Sequence, residues 1–371
     1  MKKVMVVFGT RPEAIKLVPV IKELEKNTQK IRVIKVVTAQ HRQMLDQVLK
    51  VFNITTDYDL NIMKKKQNLS QITTLILQKL DRIIEKEKPD IMLVQGDTTT
   101  AFSAALSAFY HKVNIGHIEA GLRTYDKFNP YPEEINRKLV TAIADLHFAP
   151  TVLAYNNLLK ENVPKNKIYI TGNTVIDALF MTLKQKYEFD IPFLKKFDFS
   201  KKKTILVTVH RRENWGMPLQ NICKALKIIV SSSKDAEVIF PVHYNPIVRG
   251  TVQNILKNES KIHLIDPLEY QPFVHLMNRA YLILTDSGGI QEEAPSLGKP
   301  VLVLRKITER PEAVQSGTVK IVGDNINNIV KETIKLLSFK AKYKKMSCKI
   351  NPYGDGKAAS KIVKIIIHKL C

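Results

Sequence analysis

Residues 91–121 read IMLVQGDTTTAFSAALSAFYHKVNIGHIEAG. Four apolar residues in succession, 91–94, stop at Gln95-Gly96-Asp97. An alanine-rich run with helical spacing follows over 98–110, and 114–118 forms a second short strand. A strand without polar alternation is covered on both faces, and such strands belong to parallel sheets whose crossovers are helices. The stretch therefore predicts a β-α-β unit. The same alternation extends outward. Upstream lie a strand at 3–8, a helix at 12–26, a strand at 32–38 and helices at 40–51 and 71–88, the last ending at Pro89; a further helix is expected at 133–144. Residues 184–203 (KQKYEFDIPFLKKFDFSKKK) lack a clean period and read as a linker, or the edge of one. Beyond them strands at 204–209, 237–242, 262–265, 281–284, 300–304 and 318–322 alternate with helices at 218–230, 246–256, 271–280, 291–296 and 326–337, and a last helix covers 358–370. Two such arrays in succession predict an α/β chain of two Rossmann-like domains facing one another across a cleft.

Length and composition agree. The chain has 371 residues, more than the ~250–300 at which a single core stops growing. At 44% hydrophobic and 25% charged residues, disorder, collagen and a disulfide scaffold are excluded. Cys223, Cys348 and Cys371 are odd in number and lack metal-ligand spacing, so reduced thiols in a cytoplasm are expected, with no zinc site. The apolar run at 4–8 is short and soon followed by Arg11, Glu13 and Lys16, which makes it a first strand rather than a signal peptide. No run of ~18 apolar residues suggests a membrane span. The formal charge is +23, but the lysines fall in scattered twos and threes. No basic block is interleaved with aromatics, so nucleic acid is not the expected partner. A small phosphorylated anion drawn to a basic cleft fits the balance better.

Sheets of this kind bind ligands beyond the carboxyl ends of their strands. In Gly9-Thr10-Arg11-Pro12-Glu13-Ala14-Ile15-Lys16, Pro12 suits the first helical position, and Arg11 and Lys16 can meet an anion at the helix N-terminus, or be solvated charges. The loop lacks the G-x-G-x-x-G spacing of a dinucleotide site. Asp97, before three threonines, is an N-cap or a functional acid. Glu119 in His117-Ile118-Glu119-Ala120-Gly121 ends an apolar strand, where a carboxylate is costly unless paired or functional. Glu133 and Glu134 open a helix after Asn129-Pro130-Tyr131-Pro132, and capping explains one of them. In the second half, His210 stands beside Arg211 and Arg212, poised to titrate or to hold a phosphate. Thr285-Asp286-Ser287-Gly288-Gly289 lets backbone N–H groups approach phosphate oxygens, an acid one turn further in can hold ribose hydroxyls, and Arg310 follows a strand.

The ensemble GTRPEAIK, QGDTTT, HIEAGLR, NPYPEEINR, TGNTVIDAL, HRREN, DSGGIQEEAP and ITERPEA, in this order over residues 4 to 358, resembles the non-hydrolysing bacterial UDP-N-acetylglucosamine 2-epimerases. The resemblance implies the glycosyltransferase-B type of fold, with 1–171 plus the returning helix 357–371 as the N-terminal domain and 172–356 as the UDP-binding domain. It implies no metal, no nicotinamide or other cofactor, and a homodimer. Ser287, Gly288 and Gly289 would cradle the diphosphate, with Arg11, Lys16, Arg211 and Arg310 adding charge. Glu293 would hold the ribose and Phe273 would lie near the uracil. Asp97, Glu119, Glu133 and His210 match positions implicated in catalysis. Gln40, Gln43, Glu133, Arg211 and His243 match a regulatory set that binds a second substrate molecule. That set commonly has an arginine where this chain has Lys66, which would lose a bidentate contact.

The implied reaction interconverts UDP-N-acetylglucosamine and UDP-N-acetylmannosamine. UDP leaves C1 while a base takes the C2 proton, and the resulting 2-acetamidoglucal is re-added on the other face. Cations and backbone amides would stabilise the leaving diphosphate, and carboxylates the cationic C1. A hydrolysing epimerase releasing N-acetylmannosamine and UDP, or a glycosyltransferase of the same fold, are the alternatives.

Overall fold

The computed structural model describes every residue except His41, Lys64, Lys65, Lys66, Lys349 and Cys371; the side chain of Gln43 is also outside the description. The chain divides into two compact units, 1–181 with 353–371 and 182–352.

The first unit runs β1 (Lys2–Phe8), α1 (Arg11–Glu25), β2 (Ile31–Val37), α2 (Arg42–Val51), β3 (Tyr58–Asp59), α3 (Leu69–Glu87), β4 (Ile91–Gln95), α4 (Thr99–Tyr110), β5 (Asn114–Ile118), α5 (Glu133–Ile143), β6 (Leu146–Ala149), α6 (Val152–Lys160), β7 (Ile168–Ile170) and α7 (Thr174–Thr182). Its strands form a parallel sheet in the order β3-β2-β1-β4-β5-β6-β7. Every residue of β4 is buried. Each such aliphatic side chain contributes roughly 1.5–3 kcal/mol on leaving water, which is why the run at 91–94 becomes a central strand and not a loop.

The second unit begins at α8 (Pro192–Lys196) and β8 (Lys203–Thr208), and continues through α9 (Met217–Ser232), β9 (Ala236–Pro241), α10 (Pro246–Leu256), β10 (Ile262–Ile265), α11 (Tyr270–Arg279), β11 (Leu282–Thr285), α12 (Gly288–Glu293), β12 (Val301–Val303), α13 (Pro311–Ser316), β13 (Val319–Ile321), α14 (Ile326–Ser338) and α15 (Lys340–Ser347). Its parallel sheet has the order β10-β9-β8-β11-β12-β13. The last helix, α16 (Ala358–Leu370), returns to the first unit, where it packs on α1. Asp177 on α7 accepts the N–H groups of Ala358 (3.2 Å) and Ala359 (2.9 Å) at its start. This contact ties α7 to the first unit, which runs to residue 181.

The expected linker at 184–203 is folded instead. Phe189 is buried, Tyr187 stacks on His275 with ring centroids 3.8 Å apart, and Phe193 and Phe197 pack against His263. These aromatics cover one end of the second unit without helical or strand spacing, so periodicity does not report them. The expected helix at 291–296 also begins earlier, at Gly288, and passes into a 3₁₀ turn at Ala294–Leu297.

Candidate active site

In each sheet the strand order reverses once. From β1 the chain crosses to β2 on one side, and from β4 to β5 on the other; β8 and β11 are the corresponding neighbours in the second unit. The loops that follow such a pair diverge and leave room for a ligand. Gly9–Arg11 and Gln95–Asp97 are those loops in the first unit, and His210–Arg212 and Asp286–Ser287 are those in the second.

The first unit's loops are closely fitted. A Cβ on Gly9 would overlap the hydroxyls of Thr38 and Thr100. Thr10 begins α1 with a capping box: buried Glu13 accepts the N–H of Gly9 (3.0 Å) and Thr10 (2.8 Å) and the hydroxyl of Thr98 (2.6 Å). Burial raises the Glu13 pKa even against these three stabilising bonds. Glu13 thereby joins the loop after β1 to the residue following Asp97. His117 does the same from β5, where its Nε2 bonds the Gly96 carbonyl at 2.8 Å. Burial pushes this imidazole down to about 3, so it is neutral and donates from Nε2.

Glu119 follows β5 directly, in the left-handed region at φ +65°, a conformation that costs a non-glycine residue roughly 1–2 kcal/mol. The turn aims its carboxylate at the loop after β4: a Cβ on Gly96 would lie 3.5 Å from Oε2. Lys16 Nζ donates to Oε1 (2.6 Å) and Oε2 (2.7 Å), Asn173 Nδ2 donates to Oε1 (3.0 Å), and Gln95 Nε2 donates to Oε2. Among the described residues these three side chains fix the direction of both carboxylate oxygens. Lys16, expected on a diphosphate, is thus paired with an acid of its own unit.

Asp97 forms a two-point ion pair with Arg137, at 2.8 Å from Nε and 2.7 Å from Nη2, and its carbonyl accepts from Asn136 Nδ2 at 2.8 Å. Burial opposes the charge on Arg137, but Asp97 and then Glu134 outweigh it and raise its pKa. The two acids that open α5 have separate environments. Glu134 is fully buried and accepts the N–H of Thr124 and Tyr125, each at 3.0 Å, together with Arg137 Nη1 at 3.1 Å; it fastens a loop. Glu133 Oε2 is buried without a hydrogen-bond partner among the described residues. Arg11, half-buried at the start of α1, has no ion pair among the described residues. Gln40 accepts the Thr100 hydroxyl at 3.0 Å. Lys66 and the side chain of Gln43 lie outside the described residues.

In the second unit Asp286 organises the loops. Fully buried, it accepts the N–H of His210 (2.9 Å) and Arg211 (2.9 Å) and the amide of Asn214 (2.9 Å), while His210 Nδ1 lies 3.1 Å from its other oxygen. Burial would raise its pKa, yet the His210 ring and these N–H groups hold it below the usual carboxylate range. His210 is thereby held with Nε2 facing away from Asp286. The His243 ring stands 6.2 Å from it; its Nδ1 accepts the Asn245 N–H at 3.1 Å, and burial together with His210 lowers its pKa.

Ser287 caps α12, and Gly288 and Gly289 are its first residues, whose N–H groups have no acceptor within the helix. A Cβ on Gly288 would lie 3.7 Å from Arg310 Nη2 and 3.8 Å from Arg211 Nη2. Two guanidinium groups therefore converge on the first turn of the helix. Arg310 is steadied by Glu292 and by the Glu309 carbonyl (3.1 Å), and Arg211 by Glu309 at 3.7 Å. Cations and helix amides directed at one point suit an anion that accepts bidentate bonds. Glu293, one turn in, accepts the Tyr270 hydroxyl at 2.9 Å, and Phe273 lies on the same helix as Tyr270. Among the described residues no group of three or more His, Cys, Asp or Glu is placed to hold a metal ion, and no helix is long and apolar enough to cross a membrane.

Arg137, Asn173, Gln95 and Asp286 were not singled out from sequence. Asp286 and Gln95 lay inside quoted loops without a role given to them. Arg137 and Asn173 had no signal beyond lying within conspicuous motifs.

A family model described as UDP-N-acetylglucosamine 2-epimerase matches residues 22–367. The UDP-N-acetylglucosamine 2-epimerase of Campylobacter jejuni is 53% identical over 375 residues, covering 99% of this chain and 97% of that protein. The crystal structure of UDP-GlcNAc 2-epimerase from Neisseria meningitidis bound to UDP-GlcNAc superposes with a TM-score of 0.88 at 50% identity, covering 99% of this chain and 100% of the other. The glycotransferase of kitacinnamycin, 10% identical with a TM-score of 0.66 over 100% of this chain and 99% of its own, shares the fold alone. The two parallel-sheet α/β domains are of the glycosyltransferase-B type, and the chain belongs to the UDP-N-acetylglucosamine 2-epimerase family.

Proposed function

We propose that this protein interconverts UDP-N-acetylglucosamine and UDP-N-acetylmannosamine without net hydrolysis, as a cytoplasmic homodimer that supplies precursors for cell-envelope polysaccharide. The observation that carries this reading is the setting of Glu119: a buried carboxylate, held by Lys16 and Asn173, in a left-handed turn at the carboxyl end of β5. The C2 hydrogen of the sugar has no adjacent carbonyl to acidify it, so its removal must accompany loss of UDP from C1 by anti elimination. The C1–O bond electrons go to the diphosphate, the C2 proton goes to a carboxylate, and 2-acetamidoglucal and UDP remain. Re-addition, with the proton returned to the opposite face, completes the change.

The residues divide by unit. Arg211, Arg310, the Ser287 side chain and the amides of Gly288 and Gly289 hold the diphosphate and stabilise its growing charge. His210, oriented by Asp286, faces the leaving oxygen; Glu293 takes the ribose and Phe273 lies by the uracil. In the first unit Glu119 and Glu133 serve as acid–base groups, and Asp97, locked to Arg137, offsets positive charge at C1. Arg11 and Lys16 add positive charge, Lys16 by leaving Glu119 as that group takes up a proton. Gln40, Gln43, Glu133, Arg211 and His243 match the regulatory set for a second UDP-GlcNAc molecule, with Lys66 standing where that set commonly has an arginine.

Proton and phosphorus NMR of the pure protein with UDP-GlcNAc, without added metal, tests the proposal. UDP-N-acetylmannosamine rising to a constant ratio with its epimer supports it. Free N-acetylmannosamine with stoichiometric UDP establishes hydrolysis in its place, and an untouched sugar nucleotide overturns the epimerase reading.

A further inference from the structure

The segment Thr171-Gly172-Asn173 lies between β7 and α7, and the reaction as described leaves it without a role. Its asparagine is buried and bonded on every side. Asn173 N–H donates to the Tyr353 carbonyl at 2.7 Å, and the Asn173 carbonyl accepts the Ile176 N–H at 3.1 Å. Its Oδ1 accepts the N–H of Val175, in the first turn of α7, at 3.0 Å, and its Nδ2 donates to Glu119 Oε1 at 3.0 Å. Gly172, at φ +91°, lets the chain pass close to Tyr353 and Gly354: a Cβ there would stand 3.3 Å from the Tyr353 carbonyl oxygen.

The two ends of the amide answer to different needs. A helix start requires only an acceptor, which Asp, Ser or Thr supplies as well as Asn. The donor end has no part in the helix. It faces a carboxylate, and only an amide side chain offers both functions at this length. The amide's orientation is set by the same pair of contacts, since the Val175 N–H needs an oxygen and Glu119 needs a hydrogen. The remaining donors differ in kind: Lys16 bridges both oxygens from a flexible stem, and Gln95 holds the other oxygen from the end of β4.

We propose that Asn173 is a positioning residue for the epimerisation, holding the Glu119 carboxylate in one rotamer through the Nδ2–Oε1 bond. The inference rests on the role given to Glu119 above. Asn173 does not touch the sugar nucleotide; it fixes the direction of the oxygens that do.

Two variants of the full chain separate this role from support of the fold. Asn173→Asp keeps the shape and the acceptor for Val175 but opposes one carboxylate with another. Asn173→Ala removes both contacts. As a mere support for α7, the aspartate variant would equal or exceed the alanine variant in every respect. As the holder of Glu119 it does the reverse in turnover and has the lower kcat. For Asn173→Ala, kcat falls roughly 10–100-fold, the range for losing a hydrogen bond to a charged group. In both, KM for UDP-GlcNAc and the Kd for UDP stay within about threefold of the parent, because no binding contact is touched. The parent chain and Glu119→Gln are measured alongside. Absence of epimerisation by the parent, or parent-like turnover by Glu119→Gln, overturns the underlying reading and this inference with it. If both controls behave as expected, a kcat of Asn173→Asp at or above that of Asn173→Ala overturns the role of Asn173 alone, as does a loss of UDP affinity that parallels kcat.

Discussion

Replacing His117 with glutamine tests whether the loop that carries Asp97 is held by a neutral imidazole. His117 is fully buried on β5, its Nε2 bonds the Gly96 carbonyl, and its Nδ1 has no partner among the described residues. A second proton would have to sit on Nδ1 with nothing to accept its hydrogen bond, and burial accordingly lowers the pKa from 6.5 to about 3. The sign follows from linkage. Between those two values the unfolded chain binds a proton that the native chain refuses, so stability is full above the unfolded pKa and is lost as pH falls below it. With an unfolded pKa of about 6.5 and a native value well under 5.5, this one group lowers stability by about 1.4 kcal/mol between pH 7.5 and pH 5.5. Glutamine keeps a donor for Gly96 and cannot titrate. Urea unfolding of both proteins at the two pH values, followed by far-ultraviolet circular dichroism, measures the difference. Fluorescence is unsuitable because the single tryptophan, Trp215, lies in the second unit. The parent should lose about 1.4 kcal/mol more than His117→Gln. Equal losses would mean that His117 accepts a proton in the native state, and the argument from burial would fail.

Further expectations concern packing and the anion site. Gly121→Ala should lower Tm by several degrees, because Gly121 sits at φ +90° and an added Cβ would overlap the Ala154 carbonyl; overpacking of this kind costs roughly 1–3 kcal/mol. Gly216→Ala, at φ +78° with open space around it, should cost less in the same melt, and equal shifts would refute the steric part of the account. Arg137→Leu strips the cation from Asp97 and from buried Glu134, and should destabilise the protein by roughly 3–5 kcal/mol in urea titration; a loss below 1 kcal/mol would show that neither carboxylate depends on it. Asp286→Asn replaces an acceptor of three N–H groups with an amide and frees the His210 ring. Calorimetry should find UDP bound at least about tenfold more weakly, and unchanged affinity would detach Asp286 from the anion site.

Much of the fold was legible because a parallel sheet leaves a plain trace. Strands buried on both faces are short apolar runs, and 91–94, 205–207 and 282–284 could hardly be otherwise. The loops at their carboxyl ends follow from the order of the elements, so Asp97, Glu119, His210 and Ser287–Gly289 could be located before any contact was known. What could not be read were the partners. Lys16 meets Glu119 across 103 residues, Asn173 reaches it across 54 and Arg137 meets Asp97 across 40. A sequence states which acid is costly to bury and leaves open which cation answers it. Glu133 and Glu134 show the same limit. Adjacent on one helix, they differ because Glu134 faces two backbone N–H groups and an arginine, whereas Glu133 keeps a buried oxygen without a partner among the described residues. The aromatic cover at 184–203 was mistaken for a linker because it packs through ring contacts that have no period. The short elements from β6 to α7 also escaped notice, being only 3 to 9 residues long.

The central claim is that the C2 proton is removed and returned by a carboxylate of the first unit. Incubating UDP-GlcNAc with the protein in D₂O and following C2 by proton NMR tests it most directly, with Glu119→Gln run in parallel. The account predicts that UDP-N-acetylmannosamine accumulates with deuterium at C2, and that deuterium also enters the C2 position of the remaining substrate. The variant should leave C2 protonated while still binding UDP. Epimerisation that retained the original hydrogen at C2, or exchange undiminished in Glu119→Gln, would contradict it.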